Sequence, residues 1–379
     1  MNDTPLSHPA LLPAGLRDIL PPEAELEARS IEAIMDCFAA HGYERVKPPL
    51  LEFEDSLFAG SGAATAEQTF RLMDPDSQRM MGLRADTTPQ IARLAATRLS
   101  AAPRPLRLAY AGQCLRVRGS DLEPERQIAQ AGIELIGEDS ATADAEIILT
   151  AIEALEAVGL TQLSVDLTVP RLVPDLIDSQ LGGASPALTR ALDRKDSAAV
   201  AAHGGVAAAL LGQLLDASGQ ADRAIPALLG LALPAPAKAL VARLAETVAV
   251  LRAARPGLQL TVDPVEFRGY QYHTGICMTL FAAGAQAELG RGGRYLGGEA
   301  EPATGITLYP DTIIRLAPRP KLRPRLYLPL GTAATAAAAA RAQGFATING
   351  LTPLPDPRAE AARLGCSHIF SDGQIVPLA

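Results

Sequence analysis

The sequence predicts an α+β protein in which an antiparallel sheet is flanked by helices, interrupted by a helical insertion and followed by a small α/β domain. First, two alternating strand-like runs, RLAYAGQCLRV and RQIAQAGIELIG, are joined by the charged turn GSDLEPE. Second, residues 170–256 are dominated by Ala and Leu and punctuated by Gly and Pro, which indicates short helices. Third, the linker APRPKLRPR precedes a segment that reads strand, helix, strand, helix, strand.

These observations divide the chain into four segments. Residues 1–169 and 257–317 are expected to form the two parts of the sheet core, residues 170–256 the insertion, and residues 318–379 the C-terminal domain. An insertion is the simplest account of 170–256 because alternating strands, LSVDLTV and LQLTV, lie on either side of it.

Periodicity predicts the N-terminal elements. LPPEAELEARSIEAIMDCFAAHGY reads as a helix because its apolar residues recur near every 3.6 positions. ERVKPPLLEFE reads as a strand broken by Pro48 and Pro49, which places it at a sheet edge or an interface. RMMGLRADTTPQIARLAATRL changes from strand to helix near Asp86, with Thr88 as the expected N-cap and Pro89 at the first helical position.

The later elements follow the same patterns. A helix is expected from about Thr142 to Val158, and FRGYQYHTGICMTLF and AQAELGRGGRYLGG resume the sheet after the insertion. The glycine-rich GRGGRYLGG reads as a tight turn between strands. A phosphate-binding loop is the weaker alternative, because the segment does not follow a strand and open a helix.

Composition narrows the class of protein. The chain has 379 residues, 48% of them hydrophobic, and no apolar run reaches the roughly 20 residues that span a bilayer. The N-terminus lacks the features of a signal peptide and the four cysteines are scattered, so we expect a cytoplasmic protein with free thiols. Five isolated histidines predict no metal site. A net charge of −8 supplies no general attraction for nucleic acid.

The clearest functional signal is a polar face on the second strand of the predicted pair. Gln130, Gly132 and Glu134 alternate onto one face, where Gly132 would leave a gap for a small polar molecule. Arg116 on the partner strand can bind a ligand carboxylate through two hydrogen bonds. The alternative is a solvated sheet face, which an isolated strand of this kind would favour.

Three further polar groups of residues favour a binding site over a solvated face. Each lies at the end of an apolar strand-like run: Arg84 with Asp86 and Thr87, Arg268 with Tyr270 and Tyr272, and Arg294 with Tyr295. Converging arginine, acidic and tyrosine side chains suit an amino acid with a polar side chain, whose carboxylate, ammonium group and ring they would contact.

The motifs that carry these residues resemble class II histidyl-tRNA synthetases over about residues 10–315. GYERVKPPLLEFEDSLFAGSG is similar to motif 1 at the synthetase dimer interface, LRADTTPQIAR to the segment that holds the α-amino group, and CLRVRGSDLEPERQIAQAGIELIG to motif 2. FRGYQYHTG resembles the histidine-specific R-G-x-x-Y-Y segment, with His273 in place of the second tyrosine.

This resemblance implies a dimer built on a six- to seven-stranded antiparallel sheet flanked by helices. It also implies a set of residues that contact histidine: Asp86, Thr87, Thr88, Arg116, Gln130, Glu134, Arg268, Tyr272, His273 and Tyr295.

The chain departs from the synthetase pattern where those enzymes hold ATP. Arg118 stands where motif 2 has the glutamate that contacts adenine, and Asp311 and Thr312 stand where motif 3 has Glu-Arg. Losing the motif 3 arginine removes the charge-assisted bond that orients the triphosphate. The C-terminal domain is also shorter than the anticodon-binding domain of the synthetases. The amino-acid half of the site is therefore expected to be kept and the nucleotide half lost.

This combination resembles the regulatory subunits of ATP phosphoribosyltransferase, which act at the first step of histidine biosynthesis. The resemblance implies a non-catalytic chain without a cofactor that binds histidine. It implies a homodimer within a hetero-octamer, in which a short catalytic subunit depends on this chain for activity and for feedback inhibition, with no membrane or tRNA partner. Two alternatives remain: a divergent, active histidyl-tRNA synthetase, and another synthetase-like amino-acid-binding protein.

Overall fold

The computed structural model describes residues 12–119, 124–267, 272–319 and 321–378. Contacts within the chain divide it into two compact units, Met1–Pro318 and Arg319–Ala379. The strands are β1 (Glu44–Arg45), β2 (Leu51–Phe53), β3 (Arg71–Met73), β4 (Met80–Leu83), β5 (Leu106–Leu115), β6 (Gln127–Ile136), β7 (Leu163–Thr168), β8 (Gly219–Gln220), β9 (Gln259–Asp263), β10 (His273–Ala282), β11 (Gly290–Leu296), β12 (Pro302–Leu308), β13 (Arg325–Leu328), β14 (Ala346–Asn349), β15 (His368–Ser371) and β16 (Gln374–Pro377).

The described residues also form α-helices. They are α1 (Glu23–Ala40), α2 (Glu54–Leu57), α3 (Thr88–Ala96), α4 (Ala141–Ala157), α5 (Leu172–Leu181), α6 (Pro186–Asp193), α7 (Ser197–His203), α8 (Ala208–Asp216), α9 (Ala221–Leu229), α10 (Ala235–Ala254), α11 (Pro310–Leu316), α12 (Ala334–Ala342) and α13 (Pro357–Arg363). The predicted helices at the N-terminus and after β6 are confirmed as α1 and α4.

The first unit is built on a large sheet whose order is β1-β5-β6-β12-β11-β10-β7-β9-β8. Neighbouring strands in the run β5-β6-β12-β11-β10-β7 are antiparallel. Strand β1 is parallel to β5, and β9 is parallel to β7. The predicted antiparallel sheet flanked by helices is confirmed. Within the described residues it has nine strands rather than six or seven, because the two-residue strands β1 and β8 extend its edges.

Alternation along the strands separates two faces of this sheet. On one face, Ala131, Ile133 and Leu135 of β6 lie in the main hydrophobic core, which α1 and α4 cover. On the other face, Ile136 packs with Ile91 of α3 in a smaller cluster. Because successive side chains point to opposite faces, the polar residues of β6 lie on the α3 side, opposite the main helical layer.

The insertion comprises α5 to α10 together with β8. Its helices are rich in Ala and Leu and bury their apolar faces in the same core as α1 and α4, as Leu176, Leu211 and Leu251 show. Strand β8 pairs antiparallel with β9. The insertion therefore adds a strand to the main sheet, which the composition of this segment did not predict.

The break at Pro48 and Pro49 separates strands that belong to different sheets. Strand β1 pairs with β5 in the main sheet, whereas β2 lies in a three-stranded sheet of order β2-β4-β3. Proline has no backbone N–H to donate to a ladder, so the chain changes sheets at this point. The predicted broken strand is confirmed.

The second unit is a small α/β fold. Its sheet has the order β14-β13-β15-β16, with β14 and β15 parallel to β13 and β16 antiparallel to β15. Leu326 and Leu328 on one face of β13 and Tyr327 on the other lie in two separate apolar clusters, which contain residues of α12 and α13. The predicted small C-terminal α/β fold is confirmed.

Two local predictions are wrong. Helix α3 begins at Thr88 itself, and Thr87 occupies the cap position without a side-chain capping bond. GRGGRYL is strand β11 rather than a turn. Glycine is needed there because the strands approach closely: a Cβ atom on Gly292 would lie 2.1 Å from the carbonyl oxygen of Gly305 on β12.

Candidate functional site

A cavity of about 330 Å³ lies on the α3 side of the main sheet. Strands β6, β10, β11 and β12, the residues just before α3 and the 3₁₀ segment Gly60–Gln68 contribute its walls. Its lining residues are Ala64, Thr65, Gln68, Ala85, Asp86, Arg116, Gln130, Tyr272, His273, Glu288, Arg291, Gly292, Thr307 and Tyr309. This volume and its convergent polar groups are typical of a site for a small polar molecule.

Glu134 on β6 forms the inner end of the site and is fully buried. Its carboxyl oxygens accept hydrogen bonds from the hydroxyls of Thr88, at 3.0 Å, and Tyr295, at 2.9 Å. Burial raises the pKa of Glu134 to about 8, and the nearby Asp86 carboxylate acts in the same direction. Glu134 is therefore mostly protonated at neutral pH, so that it can donate a hydrogen bond as well as accept one.

Gln130 connects the floor of the cavity to the start of α3. Its Oε1 accepts hydrogen bonds from the backbone N–H of Thr87, at 3.1 Å, and from the Thr87 hydroxyl, at 2.9 Å. Its Nε2 donates to Oδ1 of Asp86 at 3.3 Å, and the Thr88 N–H donates to the same oxygen at 3.3 Å. The Asp86 carboxylate is thus held at the cavity wall, where it can accept a bond from a ligand ammonium group.

Three aromatic rings surround the inner end. His273 stacks on Tyr272 with ring centroids 4.2 Å apart, and Tyr272 meets Tyr295 edge to face at 6.0 Å. Tyr295 lies directly across from His273 in the β10–β11 pair. Burial, together with the nearby Arg291 guanidinium, lowers the pKa of His273 to about 3, so this imidazole is neutral. A smaller cavity of about 20 Å³ lies between these rings and Glu134.

The predicted gap above Gly132 is filled. A Cβ atom on Gly132 would lie 2.4 Å from the hydroxyl oxygen of Tyr110, and that hydroxyl is 2.7 Å from Oγ1 of Thr307. Gly305 on the neighbouring strand has a similar role, because a Cβ atom there would lie 1.7 Å from Oε2 of Glu134. These glycines make room for the polar side chains of the site rather than for a ligand against the backbone.

The sequence patterns missed several residues at the mouth of the cavity. Arg291 and Glu288 form an ion pair with a shortest distance of 2.8 Å, and both line the cavity beside Arg116 and Tyr309. Nε of Arg116 is buried and has no hydrogen-bond partner in the described part of the chain. Arg291 could have been found from the sequence, because it shares a strand face with Tyr295.

The structure brings most of the predicted site residues together. Those that line the main cavity are Asp86, Arg116, Gln130, Tyr272 and His273. Thr88, Glu134 and Tyr295 line the smaller inner cavity, and Thr87 holds Gln130. Arg268, like Tyr270, lies outside the described residues.

Two arginines of the polar groups proposed from the sequence, Arg84 and Arg294, do not line the cavity. Arg294 points to the opposite face of the sheet, where its Nη2 lies 2.7 Å from Oδ1 of the buried Asp144. Nη1 and Nη2 of Arg294 also donate to the carbonyl oxygens of Glu138 and Ser140. Consecutive strand residues face opposite ways, so Arg294 and Tyr295 cannot share one site. The expected role of Arg294 in ligand binding is wrong.

A second cavity, of about 60 Å³, adjoins the first and shares Arg116, Glu288 and Tyr309 with it. Asp311 lines this second cavity and its Oδ2 accepts a hydrogen bond from the Ala129 N–H at 2.8 Å. Burial raises the pKa of the Asp311 carboxyl group. Glu125, paired with Arg315 at 3.1 Å, lines it as well. Arg116 and Arg315 line this space as well, so its three carboxyl groups outnumber its two guanidinium groups, and its volume of about 60 Å³ is small for a nucleotide.

The described part of the chain shows neither a metal site nor a membrane-spanning helix. Among the described residues, no group of three or more His, Cys, Asp or Glu side chains could hold a metal ion. No helix in the ranges that the structure describes is long and apolar enough to cross a membrane.

Comparison with known proteins identifies the class. The family model "Histidyl-tRNA synthetase" matches residues 15–313. A crystal structure from Bacillus halodurans, described as an ATP phosphoribosyltransferase regulatory subunit/histidyl-tRNA synthetase, is similar with a TM-score of 0.79 and 25% identity. The match covers 94% of this chain and 97% of that one. The fold is thus that of a class II histidyl-tRNA synthetase-like protein.

Two curated relatives narrow the class further. ATP phosphoribosyltransferase regulatory subunits of Paramagnetospirillum magneticum and Rhodospirillum centenum are 56% and 54% identical to this chain. The first match covers 97% of both chains, and the second covers 99% of this chain and 98% of the relative. The chain belongs to the family of ATP phosphoribosyltransferase regulatory subunits.

Proposed function

We propose that this chain binds free histidine and, in a complex with a short ATP phosphoribosyltransferase catalytic subunit, supports the activity of that subunit and transmits feedback inhibition by histidine. Membership of the regulatory-subunit family supports the partnership. The observation that carries the ligand assignment is the cavity, which combines a guanidinium group, a carboxylate and a buried aromatic end.

Each part of a histidine molecule has a complementary group in this cavity. The α-carboxylate suits the Arg116 guanidinium, which can form two parallel hydrogen bonds with it. The α-ammonium group suits Asp86. The imidazole suits the inner end, where Glu134 can donate to or accept from a ring nitrogen and Tyr272 and Tyr295 enclose the ring. Arg268 is retained in the proposed set because the family motif includes it.

The second cavity supports a non-catalytic role. Activation of histidine requires ATP, and Asp311 and Thr312 stand where the synthetase pattern has the arginine that contacts the phosphates. This space, of about 60 Å³, is small for a nucleotide, and its carboxyl groups, Glu125, Glu288 and Asp311, offset the positive charge that Arg116 and Arg315 would offer a triphosphate. We therefore propose that the chain neither forms an adenylate nor charges tRNA.

The three-stranded sheet supports homodimer formation within a larger assembly. Leu50, Leu72, Met73 and Met80 lie in or beside its strands and are 43%, 38%, 60% and 43% exposed. Apolar side chains grouped in this way favour burial against another protein surface. We propose that a second copy of the chain covers them and that two or more such dimers enter the hetero-octamer.

Reconstitution of the complex tests the proposed function. The purified chain and a short catalytic subunit are mixed, and ATP phosphoribosyltransferase activity is followed against histidine concentration. We expect association at micromolar concentration, higher activity than the catalytic subunit has alone, and inhibition of roughly 5- to 150-fold at saturating histidine, the usual range of allosteric coupling. Full activity of the catalytic subunit alone, or no association, would contradict the proposal.

A further inference from the structure

Arg84, which follows β4, is a buried cation that lines none of the cavities described above. It is 7% exposed, and the described residues offer it no ion pair. Its Nε donates to the Gln113 carbonyl oxygen at 2.9 Å, and its Nη1 donates to the Pro48 carbonyl oxygen at 3.3 Å and to Oε1 of Gln90 at 3.4 Å. Burying a charge with only neutral partners costs free energy of folding. We therefore expect Arg84 to have a role other than stabilising the fold.

Arg84 and Gln90 together hold the segment between β1 and β2. The carbonyl oxygen of Pro48 accepts from Arg84 Nη1, and that of Pro49 accepts from Gln90 Nε2 at 2.8 Å. The carbonyl oxygen of Leu50 accepts from the backbone N–H of Arg84 at 3.0 Å. Arg84 and Gln90 thus donate hydrogen bonds to three consecutive carbonyl groups. The side chains of Pro49 and Leu50 are exposed on the surface.

The same two residues border the wall of the ligand cavity. Arg84 precedes Ala85 and Asp86 in the chain, and the Gln90 N–H donates to the Thr87 carbonyl oxygen at 3.0 Å. The Arg84 guanidinium also lies against Gly112, where a Cβ atom would be 2.3 Å from Nη2, and Gly112 is the strand partner of Gln130. Residues 86–87 and residues 48–50 are therefore connected through Arg84 and Gln90.

We propose that Arg84 and Gln90 are positioning residues that couple the cavity wall at residues 86–88 to the exposed segment 48–50, so that the occupancy of the cavity and the arrangement of that segment control one another. The identity of the ligand rests on the proposed function. The link itself concerns two segments of the free chain, so that it can be tested with and without histidine.

Two substitutions at one position test the link in the full-length chain. In Gln90→Met, the side chain keeps its length but can bond neither the Pro49 carbonyl nor Arg84. In Gln90→Glu, the new carboxylate pairs with the buried Arg84, which preserves the fold, but it cannot donate to the Pro49 carbonyl. Arg29→Gln is the control, because it removes an exposed ion pair, with Glu25 on α1, that lies outside both segments.

Amide hydrogen exchange provides the measurement. In the free chain, we expect Gln90→Met to speed exchange at both 50–53 and 86–88 by about tenfold, the effect of losing one buried hydrogen bond. Gln90→Glu should speed exchange at 50–53 only, and Arg29→Gln should change neither segment. With saturating histidine, the parent should gain protection at both segments, whereas Gln90→Glu should bind histidine within threefold of the parent affinity and gain protection at 86–88 alone.

The outcomes separate this inference from the proposed function. If Gln90→Met speeds exchange in one segment only, or if Gln90→Glu still protects 50–53 when histidine binds, the link is refuted whatever the ligand. If the parent does not bind histidine at all, the proposed function fails, and the comparison of the free variants still decides whether the two segments are coupled.

Discussion

At the scale of single residues, Glu134 determines how the site responds to pH. Its pKa of about 8 in the folded chain lies well above its ordinary value of 4.5, because burial penalises the charged form. The folded state therefore retains a proton that the unfolded state has lost between these two values. The contribution of Glu134 to stability is complete below pH 4.5 and is lost as the pH rises through about 8.

The substitution Glu134→Gln is expected to remove this pH dependence. Between pH 6.5 and 8 the parent should lose stability relative to the variant by up to about 1.4 kcal/mol per pH unit, and the difference should level off above pH 8. His273, with a pKa of about 3, has the opposite sign and acts only below its ordinary value of 6.5. Denaturant unfolding at several pH values measures the difference. Parallel curves for parent and variant would show that Glu134 is ionised in the folded chain.

Arg116 carries the second prediction at this scale. Because Arg116 is the proposed partner of the histidine carboxylate, Arg116→Gln should weaken histidine binding by about 10- to 100-fold, the effect of one hydrogen bond to a charged group. Arg118→Gln is the matched control, since Arg118 belongs to the same turn and is exposed. Calorimetry measures both affinities. If the two variants bind equally well, another group, with Arg291 as the first candidate, holds the carboxylate.

At the scale of elements, the glycines of β11 and β12 allow strands and side chains to approach closely at the site. Gly305→Ala would place a Cβ atom 1.7 Å from Oε2 of Glu134, so it should destabilise the chain by about 1–3 kcal/mol and weaken histidine binding. Gly212→Ala in α8 meets open space and should stabilise by about 0.5–1 kcal/mol through its helix propensity. Thermal unfolding with calorimetry compares them; a Gly305→Ala chain with parent stability and affinity would contradict this account.

Much of the sheet and half of the site could be predicted from periodicity alone. Strict alternation in β5 and β6 gives their pairing and puts Gln130 and Glu134 on one face, as the structure has them. The change of period near Asp86 gives the position of α3 to within one residue, though not its cap. These features are local, and the physics of one or two strands is enough to determine them.

The rest depended on contacts between elements that are distant in the chain. Alternation predicts the sheet face on which Gly132 lies. It does not predict that Tyr110, on another strand, fills the space above Gly132. The Gly-rich segment reads as a turn until β10 and β12 are placed on either side of it. Likewise, Arg294 seemed to belong with Tyr295 because the two are adjacent in sequence, whereas its partner Asp144 lies 150 positions away. The resemblance to a family supplied information that these patterns lacked.

At the scale of the whole molecule, the proposed function separates two roles that the synthetases combine. The cavity at Glu134 and Asp86 is the proposed site for an amino acid, while the adjoining space is small and is lined by Glu125, Glu288 and Asp311 together with Arg116 and Arg315. A dimer that binds a ligand without consuming it can shift the equilibrium between two arrangements of a larger assembly. The differential affinity of the ligand for the two arrangements then sets the strength of regulation.

The proposed loss of the nucleotide site predicts how the purified chain responds to ligands. Histidine at about 100 times its dissociation constant should stabilise the chain by about 2.7 kcal/mol, whereas ATP at millimolar concentration should leave its unfolding temperature unchanged. The physical reason is that the adjoining cavity is small, that its carboxyl groups offset Arg116 and Arg315, and that Thr312 carries no charge for the phosphates. Thermal unfolding with each ligand and a pyrophosphate-exchange assay provide the measurements. Histidine-dependent exchange above the rate without protein would refute the regulatory role and support an active synthetase, and stabilisation by ATP alone would show that the adjoining cavity opens to accept a nucleotide.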